Sequence, residues 1–316
     1  MPVRSIPLTD HPTRILLEGI VDYAGLFPPA SLSMSQAVRA YAHYRAGGTG
    51  WMLGRFVCPA SGLESFSEAA DPLLPRDSGA IPWRLTVTGS GDSTTDLESI
   101  AAFNERHLVC FEDRGAIVDA FETKAARVDD VIRIDLETPP SLETYIELPL
   151  SSGTSDLDSM VAAIAKCGRR AKMRTGGTNA EAFPSAESVA SFLQSCISHR
   201  VPAKATAGLH HPLCGLYCLT YADAAPTGTM FGYLNVFLAA ALLASGGSGS
   251  DALHLLEESN ASSIELNDEH VSWHGADASA NFGRPLLQRV RQTVLVSFGS
   301  CSFTEPVEES RALGLV

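Results

Sequence analysis

The fold class is decided by residues 145–208, which read YIELPLSSGTSDLDSMVAAIAKCGRRAKMRTGGTNAEAFPSAESVASFLQSCISHRVPAKATAG. In this stretch we predict, in order, a strand at 145–150, a helix at 157–166, a strand at 171–175, a helix at 185–198 and a strand at 202–207. Ser185 follows Phe183-Pro184 and is the predicted N-cap of the second helix. Strands that alternate with single helices indicate right-handed βαβ units and therefore a parallel sheet.

The alternation continues on both sides of this stretch. Further strands are predicted at 51–58, 83–88, 107–111, 131–137 and 294–298, and further helices at 34–46, 97–106 and 116–126. These elements predict the α/β class and a (β/α)8 TIM-like barrel. We expect a single barrel domain over 1–316, with an N-terminal extension and first helix at 1–50 and an insertion carrying an apolar helix at 209–290, before the last strand. A doubly wound open sheet is the alternative, although no G-x-G-x-x-G follows the first strand.

Composition excludes several classes of protein. The 316 residues carry a formal net charge of −13, which argues against a nucleic-acid partner because phosphates call for basic patches. The seven cysteines are odd in number and scattered, which favours a reducing compartment. The N-terminal residues lack an apolar signal segment, and the apolar run at 230–244 is too short to span a membrane. We therefore expect a cytoplasmic protein without a membrane partner.

Lysine is rare, so the position of each one is informative. The four lysines are Lys124, Lys166, Lys172 and Lys204, and the other basic side chains among the 23 are arginines. Lys124 and Lys166 are predicted on helix surfaces. Lys172 and Lys204 are instead predicted near the ends of consecutive strands. Active sites of parallel barrels lie at these carboxyl ends, in the loops that follow the strands.

Neighbouring residues complete a candidate site around the two lysines. Arg174 faces the same way as Lys172, and Thr206 the same way as Lys204, because side chains on a strand alternate with a period of two. Each strand is followed by glycine, which permits a close approach of the backbone to a ligand. These glycines are Gly176, Gly177 and Gly208.

Three interpretations of the lysines remain open. In the first, a partly desolvated lysine beside another cation has a lowered pKa and attacks a carbonyl carbon to form a Schiff base. In the second, both lysines bind a carboxylate or phosphate, as Lys–Arg clusters often do. In the third, their ammonium groups form ion pairs with Asp135 and Glu147.

Four short motifs add a family resemblance. The runs VDDVIRID, KMRTGG, KATAGLHHP and FGSCS resemble the second half of class I aldolases of the deoxyribose-phosphate aldolase type. The resemblance covers residues 128–208 and a few residues near Gly299. Arg174 stands where the family has a small residue, and the pair His210-His211 is foreign to the family pattern.

The resemblance implies roles for particular residues. Lys172 would be the Schiff-base residue, and Lys204 would be the neighbour that lowers its pKa. Asp135 would be a proton-relay carboxylate on the fourth strand. An anionic group of the substrate would contact Gly208, Gly299 and Ser300.

Two further constellations carry candidate chemistry. His210 and His211 follow a predicted strand and suit general acid–base catalysis, substrate contact or, with Glu147, Asp135 or His274, metal binding. Asp22 and Tyr23 lie in the segment GIVDYAGLFPPA, which is stiffened by prolines. That segment either covers a substrate at the barrel mouth or plugs the barrel bottom.

The leading hypothesis is an aldolase-type lyase that acts on a small anionic carbonyl compound through a Schiff base at Lys172. The second is a metal-dependent lyase, isomerase or hydrolase that uses His210, His211 and Glu147, while Lys172 and Arg174 bind the anion. The third is a non-enzymatic anion-binding module. No cofactor is favoured, and a divalent metal belongs only to the second hypothesis. We also expect a homo-oligomer, because the apolar helix needs a surface to pack against.

Overall fold

The computed structural model describes residues 11–77, 79–108, 115–150 and 154–316. In chain order its strands are β1 (Val21–Tyr23), β2 (Leu53–Pro59), β3 (Trp83–Thr88), β4 (Ala116–Lys124), β5 (Glu143–Glu147), β6 (Arg170–Arg174), β7 (Ala203–Thr206), β8 (Gly215–Cys218), β9 (Thr227–Met230), β10 (Ile264–Leu266), β11 (His270–His274), β12 (Ser279–Gly283) and β13 (Leu295–Ser300). Its α-helices are α1 (Pro12–Leu17), α2 (Met34–Ala46), α3 (Leu63–Ala70), α4 (Ser93–Leu108), α5 (Val128–Glu137), α6 (Thr154–Lys166), α7 (Ala186–His199), α8 (Tyr233–Ala244), α9 (Gly249–Leu256), α10 (Arg284–Thr293) and α11 (Thr304–Ala312).

Eight of these strands close into a parallel barrel. Strands β1 to β7 pair with their neighbours in chain order, and β13 closes the ring between β7 and β1. Lys172 lies opposite Lys204 in the register of β6 and β7, and Glu147 lies opposite Lys172 in that of β5 and β6. The (β/α)8 barrel predicted from the sequence is confirmed, and its register places three charged side chains side by side.

Several predicted elements are confirmed with their caps. The strand at 83–88 matches β3, and the helix at 34–46 matches α2. Ser33 accepts a hydrogen bond from the backbone N–H of Gln36, and the Gln36 side chain accepts one from the Ser33 backbone, which forms a capping box. Ser185 caps α7 as predicted.

The middle of the chain differs from the prediction, because helix and strand are exchanged there. Residues 131–137, predicted as a strand, belong to helix α5, and the predicted helix at 116–126 is mostly strand β4. Val131 and Ile134 are buried at helical spacing, whereas Leu136 is 82% exposed. In VIRIDLE, apolar residues stand at every second position, as in a strand, and also three residues apart, as in a helix. The residues that the structure buries are Val131 and Ile134, which have the helical spacing. For the predicted strand at 107–111, residues 107–108 are helical and 109–111 lie outside the described residues.

The first barrel strand lies within the predicted N-terminal extension. Strand β1 has only three residues, all buried, and pairs with both β2 and β13. A strand of this length shows no periodic pattern, so the sequence gives no signal for it. The region 1–50 therefore supplies the first strand of the barrel, and Asp22 belongs to that strand rather than to a cap or a plug.

The segment between β7 and β13 is inserted before the last barrel strand, as predicted. It contains the antiparallel hairpin β8–β9, the helices α8 to α10 and the antiparallel sheet β10–β12. Every residue of α8 from Tyr233 to Leu243 is buried, which confirms the predicted apolar helix. In the part of the chain that the structure describes, no helix combines the length and apolar character that a membrane crossing requires.

Asn235 ties α8 to its surroundings, and its replacement is expected to destabilise the fold. Its fully buried side chain accepts a hydrogen bond from the backbone N–H of Cys214 and donates to the carbonyls of Leu255 and Glu258. Asn235→Ala leaves these groups without partners, so we expect the free energy of unfolding to fall by about 3 kcal/mol. Urea denaturation measures the loss. The exposed Asn179→Ala is the matched control, and an equal loss in both variants would contradict the expectation.

Candidate active site

A cavity of about 410 Å³ opens at the carboxyl ends of the barrel strands. Its lining includes residues from seven of the eight strands, and the charged ones lie on three consecutive strands. These charged residues are Glu122 and Lys124 of β4, Glu147 of β5, and Lys172 and Arg174 of β6. The cavity therefore lies at the face of the barrel where parallel barrels place their active sites.

Glu122 joins the two lysines at the floor of this cavity. Its Oε2 lies 2.7 Å from Lys172 Nζ, and its Oε1 lies 2.7 Å from Lys204 Nζ. Glu147 Oε2 lies 2.8 Å from Lys172 Nζ on the other side. All of these side chains are buried or nearly so, so water screens the charges little.

Lys204 is held from below by Asp22 of β1. Lys204 Nζ donates to Asp22 Oδ2 at 2.5 Å, and the lysine is 0% exposed. Asp22 also accepts hydrogen bonds from the backbone N–H of Arg55 and from the Ser297 hydroxyl. Gly54 leaves room for this carboxylate, since a Cβ there would lie 2.4 Å from Asp22 Oδ1. Lys204 is therefore fixed by two carboxylates inside the barrel.

The carboxylates reverse the expected direction of the lysine pKa shifts. Burial alone would lower the pKa of Lys172, but the negative charges of Glu122 and Glu147 outweigh it and raise that pKa. The pKa of Lys204 is raised in the same way by Asp22 and Glu122. Burial opposes ionisation of Glu122, yet the two ammonium groups lower its pKa to about 2. The predicted lowering of the Lys172 pKa by a neighbouring cation is wrong, because Glu122 stands between the two cations.

Asp135 does not join this cluster. It lies on helix α5, where its carboxylate accepts a hydrogen bond from Arg169 Nε at 2.7 Å. Arg169 directly precedes β6 and so lies at the amino end of that strand, opposite the cavity. The carboxylate that the fourth barrel strand contributes to the lysine cluster is Glu122. Placing Asp135 on the fourth strand was wrong because 131–137 is helical.

Two cations lie at the rim of the cavity. Arg174 Nε donates to the Gly176 carbonyl at 2.9 Å, and no carboxylate pairs with this guanidinium among the residues that the structure describes. Lys124 is 76% exposed and lies 3.6 Å from Glu147. Lys124 is the last residue of strand β4, so its predicted place on a helix surface is wrong. Lys166 is the last residue of helix α6, as predicted. Arg174 thus lines the cavity without a carboxylate partner among the described residues.

His210 and His211 have separate partners. His210 Nδ1 lies 2.9 Å from Glu305 Oε2, and His211 Nδ1 lies 2.7 Å from Glu309 Oε1. The His211 ring also stacks on Tyr217, with the ring centroids 3.5 Å apart. Within the described ranges no three His, Cys, Asp or Glu side chains are arranged to hold a metal ion. The structure thus does not bring His210, His211 and Glu147 together as a set of metal ligands.

The other predicted substrate contacts divide into two groups. Those that line the cavity are Gly177, Thr206, Gly208 and Gly299. Those outside its lining are Gly176, Ser300, Asp22 and Tyr23. Gly208 has a φ of +74°, which favours glycine at this turn. Tyr23 packs among Tyr41, Tyr44 and Phe56 in an aromatic cluster, so it has a structural place in the core.

Sequence reasoning missed four residues of the site. Glu122 lies in a segment predicted as a helix, and Cys301, Glu305 and Tyr221 were not linked to the histidines. The sequence AIVDAFETK does not alternate apolar and polar residues around Glu122, so no local pattern marked this part of β4 as a strand. Tyr221 and Cys301 approach each other from the hairpin loop and from the end of β13, which no local pattern shows.

Replacing Glu122 is expected to destabilise the protein in a pH-dependent way. A native pKa of about 2 for Glu122 corresponds to about 3 kcal/mol of stability above pH 4.5, which is lost as the pH falls toward 2. Glu122→Gln should therefore lose about 3 kcal/mol at pH 7, and its deficit relative to the wild type should shrink below about pH 4.5. Chemical denaturation at a series of pH values measures both effects. The exposed Glu308→Gln should show neither, and a deficit that is constant with pH would refute the ionic role of Glu122.

Comparison with known proteins finds a distant structural likeness. No family model and no curated protein matches the sequence. The chain is similar to the deoxyribose phosphate aldolase from Aeropyrum pernix, a structure described as tetrameric, with 13% sequence identity and a TM-score of 0.43. The match covers 66% of this chain and 87% of that chain. The barrel itself is established by the strand order, and the chain bears a distant resemblance to aldolases of the deoxyribose-phosphate type.

Proposed function

We propose that this protein is a lyase of aldolase type that forms a Schiff base between Lys172 and the carbonyl carbon of a small anionic compound. The observation that carries the proposal is the position of Lys172. It lines the cavity, and a carboxylate that also lines the cavity lies 2.8 Å from its Nζ. An amine with an adjacent proton acceptor is the arrangement that imine formation needs.

Accessibility distinguishes the two lysines. Lys172 lines the cavity, whereas Lys204 is 0% exposed, lies outside the cavity lining and is enclosed by Glu122 and Asp22. A substrate in the cavity can therefore reach Lys172 Nζ but not Lys204 Nζ. We assign the nucleophile to Lys172 and a fixed positive charge to Lys204.

Glu147 is the favoured proton acceptor. The Lys172 ammonium must lose a proton before its nitrogen can attack, and Glu122 and Glu147 both contact it. Glu122 faces two ammonium groups and has a pKa of about 2, which makes it the weaker base. Glu147 takes one ammonium proton, and the amine adds to the carbonyl carbon. A second proton passes from the nitrogen to the former carbonyl oxygen and makes it a hydroxyl. Glu147 returns its proton to this hydroxyl, which leaves as water and gives the iminium.

The charges that keep Lys172 protonated also favour a protonated imine. An iminium carries its positive charge at the position of the former ammonium nitrogen, between Glu122 and Glu147. The carboxylates stabilise that charge through fixed electrostatics in a partly dry site. The iminium then accepts the electron pair of the carbon–carbon bond that breaks. The hydroxyl on the leaving carbon gives its proton to Glu147, which is ionised again after the loss of water, and becomes a carbonyl.

Arg174 is the proposed group for binding the substrate's anion. It lines the cavity on the same strand as Lys172, two residues away, and holds its guanidinium through a bond to the Gly176 carbonyl. Guanidinium groups bind carboxylate and phosphate in a bidentate manner. The proposed substrate thus has an anionic group close to its carbonyl carbon.

The cavity contents favour an enzyme over a passive anion receptor. Glu147 and His210 both line the cavity, and each can transfer a proton. A receptor for an anion needs only the cations. The metal-dependent alternative lacks support, since His210, His211 and Glu147 each pair with a different side chain.

Borohydride trapping tests the imine. Incubation with small 2-oxo acids and phosphorylated aldehydes, followed by reduction and peptide mass mapping, should give a stable adduct on Lys172 alone. The matched variant Lys172→Arg keeps the positive charge of the cluster but cannot form an imine, so it should fold normally and give no adduct. Turnover without any adduct, or an adduct on Lys204, would disprove the assignment.

A kinetic comparison tests the anion site. Arg174→Gln should weaken binding of the substrate that is turned over by about 10- to 100-fold, seen as a raised KM, because a hydrogen bond to a charged group contributes about 1.5–3 kcal/mol. The exposed Arg39→Gln makes the same change in net charge away from the cavity and should leave KM unchanged. An equal KM in wild type and Arg174→Gln would show that the anion binds elsewhere.

A further inference from the structure

A second cluster of reactive side chains lies at the wall of the same cavity. Cys301 directly follows β13, Glu305 lies in the first turn of α11, and His210 lies in the loop after β7. All three residues line the cavity, together with Tyr221 from the loop between β8 and β9. Lys172 chemistry does not use this cluster.

The contacts run from a thiol through an imidazole to a carboxylate. Cys301 Sγ lies 3.9 Å from His210 Nε2, which is within the longer reach of a hydrogen bond to sulfur. His210 Nδ1 lies 2.9 Å from Glu305 Oε2. The thiol and the carboxylate therefore contact opposite nitrogens of one ring. A nucleophile, a base and a group that orients the base stand in this order in cysteine-based active sites.

The carboxylate of this cluster, Glu305, is held in place by two hydrogen bonds to its side chain and its backbone. Tyr221 Oη donates to Glu305 Oε2 at 3.0 Å, and the Glu305 backbone N–H donates to the Ser302 hydroxyl. Burial opposes protonation of His210, but its hydrogen bonds and charge interactions with Cys301 and Glu305 raise its pKa to about 9. His210 is therefore able to hold a proton taken from the thiol.

The thiol is accessible from the cavity rather than from bulk solvent. Cys301 is 5% exposed, whereas Cys218, which also lines the cavity, is an exposed residue. Cys58, Cys196 and Cys214 are buried away from the lining. Exposure alone would make Cys218 the more reactive of the two cavity cysteines, so the pair provides an internal comparison.

We propose that Cys301, with His210 as its base and Glu305 as the orienting group, is a second nucleophile of this cavity and adds reversibly to a small aldehyde to form a hemithioacetal. This site goes beyond the imine chemistry of Lys172 and does not depend on it. An aldehyde is the proposed class of ligand because thiols add more favourably to aldehydes than to ketones, whose carbonyl carbon is less electrophilic and more crowded.

The proposed step balances without another reactant. The thiol proton passes to His210 Nε2, and Cys301 Sγ forms a bond to the aldehyde carbon. The π electron pair of the carbonyl moves to its oxygen, which takes the proton back from His210 Nε2. The product is a neutral hemithioacetal, and the reverse sequence releases the aldehyde.

Alkylation at pH 6 tests whether the thiol is activated. An ordinary thiol with a pKa of about 8.5 is almost fully protonated at this pH and reacts slowly. With iodoacetamide and peptide mass mapping, we expect Cys301 to be alkylated about 10-fold faster than Cys218 despite its burial. His210→Gln, or Glu305→Gln if the first variant does not fold, should remove this preference, while Lys172→Arg should retain it. Faster alkylation of Cys218, or an unchanged preference in both variants, would overturn the proposal.

Carbon NMR with carbonyl-¹³C acetaldehyde tests the adduct itself. The Lys172→Arg variant serves as the protein, because it cannot form an imine at that position. We expect a hemithioacetal carbon signal in this variant, and its loss when Cys301→Ser is added and circular dichroism shows an intact fold. Absence of the signal at saturating acetaldehyde would refute the thiol site. Borohydride trapping at Lys172 in the wild type is a separate readout, so failure of either proposal is seen independently.

Discussion

The contact of Glu122 with two lysines is the constraint on which the rest of the site depends. One carboxylate lies 2.7 Å from each ammonium group, and Asp22 and Glu147 add a second carboxylate to Lys204 and Lys172, respectively. Glu122, Lys172 and Lys204 therefore each contact two groups of opposite charge, and removing any of the three breaks two buried ion pairs at once, which is destabilising. The cluster therefore requires β1, β4, β5, β6 and β7 to be in register at once, and only a closed barrel provides that.

The same electrostatics link structure to the proposed chemistry. The carboxylates around Lys172 outnumber the neighbouring cation and favour a cationic nitrogen, which in the proposed reaction is first an ammonium and then an iminium. The proposed attack by Lys172 therefore needs a local base, and the Glu147 carboxylate lies 2.8 Å from its Nζ. At the other wall, His210 and Glu305 form a second pair of proton-transfer groups next to a thiol. The cavity thus has an amine beside a carboxylate at one wall, and a thiol beside an imidazole and a second carboxylate at the other.

Prediction from the sequence succeeded where patterns were long and failed where they were ambiguous or short. The capped helices α2 and α7 and the strands β3, β6 and β7 follow from apolar spacing and N-cap residues. The exchange of helix and strand at 116–137 arose because VIRIDLE satisfies both periods, and β1 is too short to show either. The prediction still reached eight strands, since β1 and β4 replace the two that were misplaced.

The sequence by itself determined that the chain is an α/β barrel and that Lys172 and Lys204 lie at neighbouring strand ends, because both follow from local periodicity and chain order. Only the tertiary structure decided which carboxylates face those lysines. Glu122 lies about 50 residues before Lys172 in the chain, and Asp22 lies about 180 residues before Lys204. Asp135 pairs with Arg169 instead of with either lysine. It also decided that Cys301 meets His210. Such pairings depend on barrel closure, which brings together strands that share no local pattern, and closure sets the sign of each lysine's pKa shift.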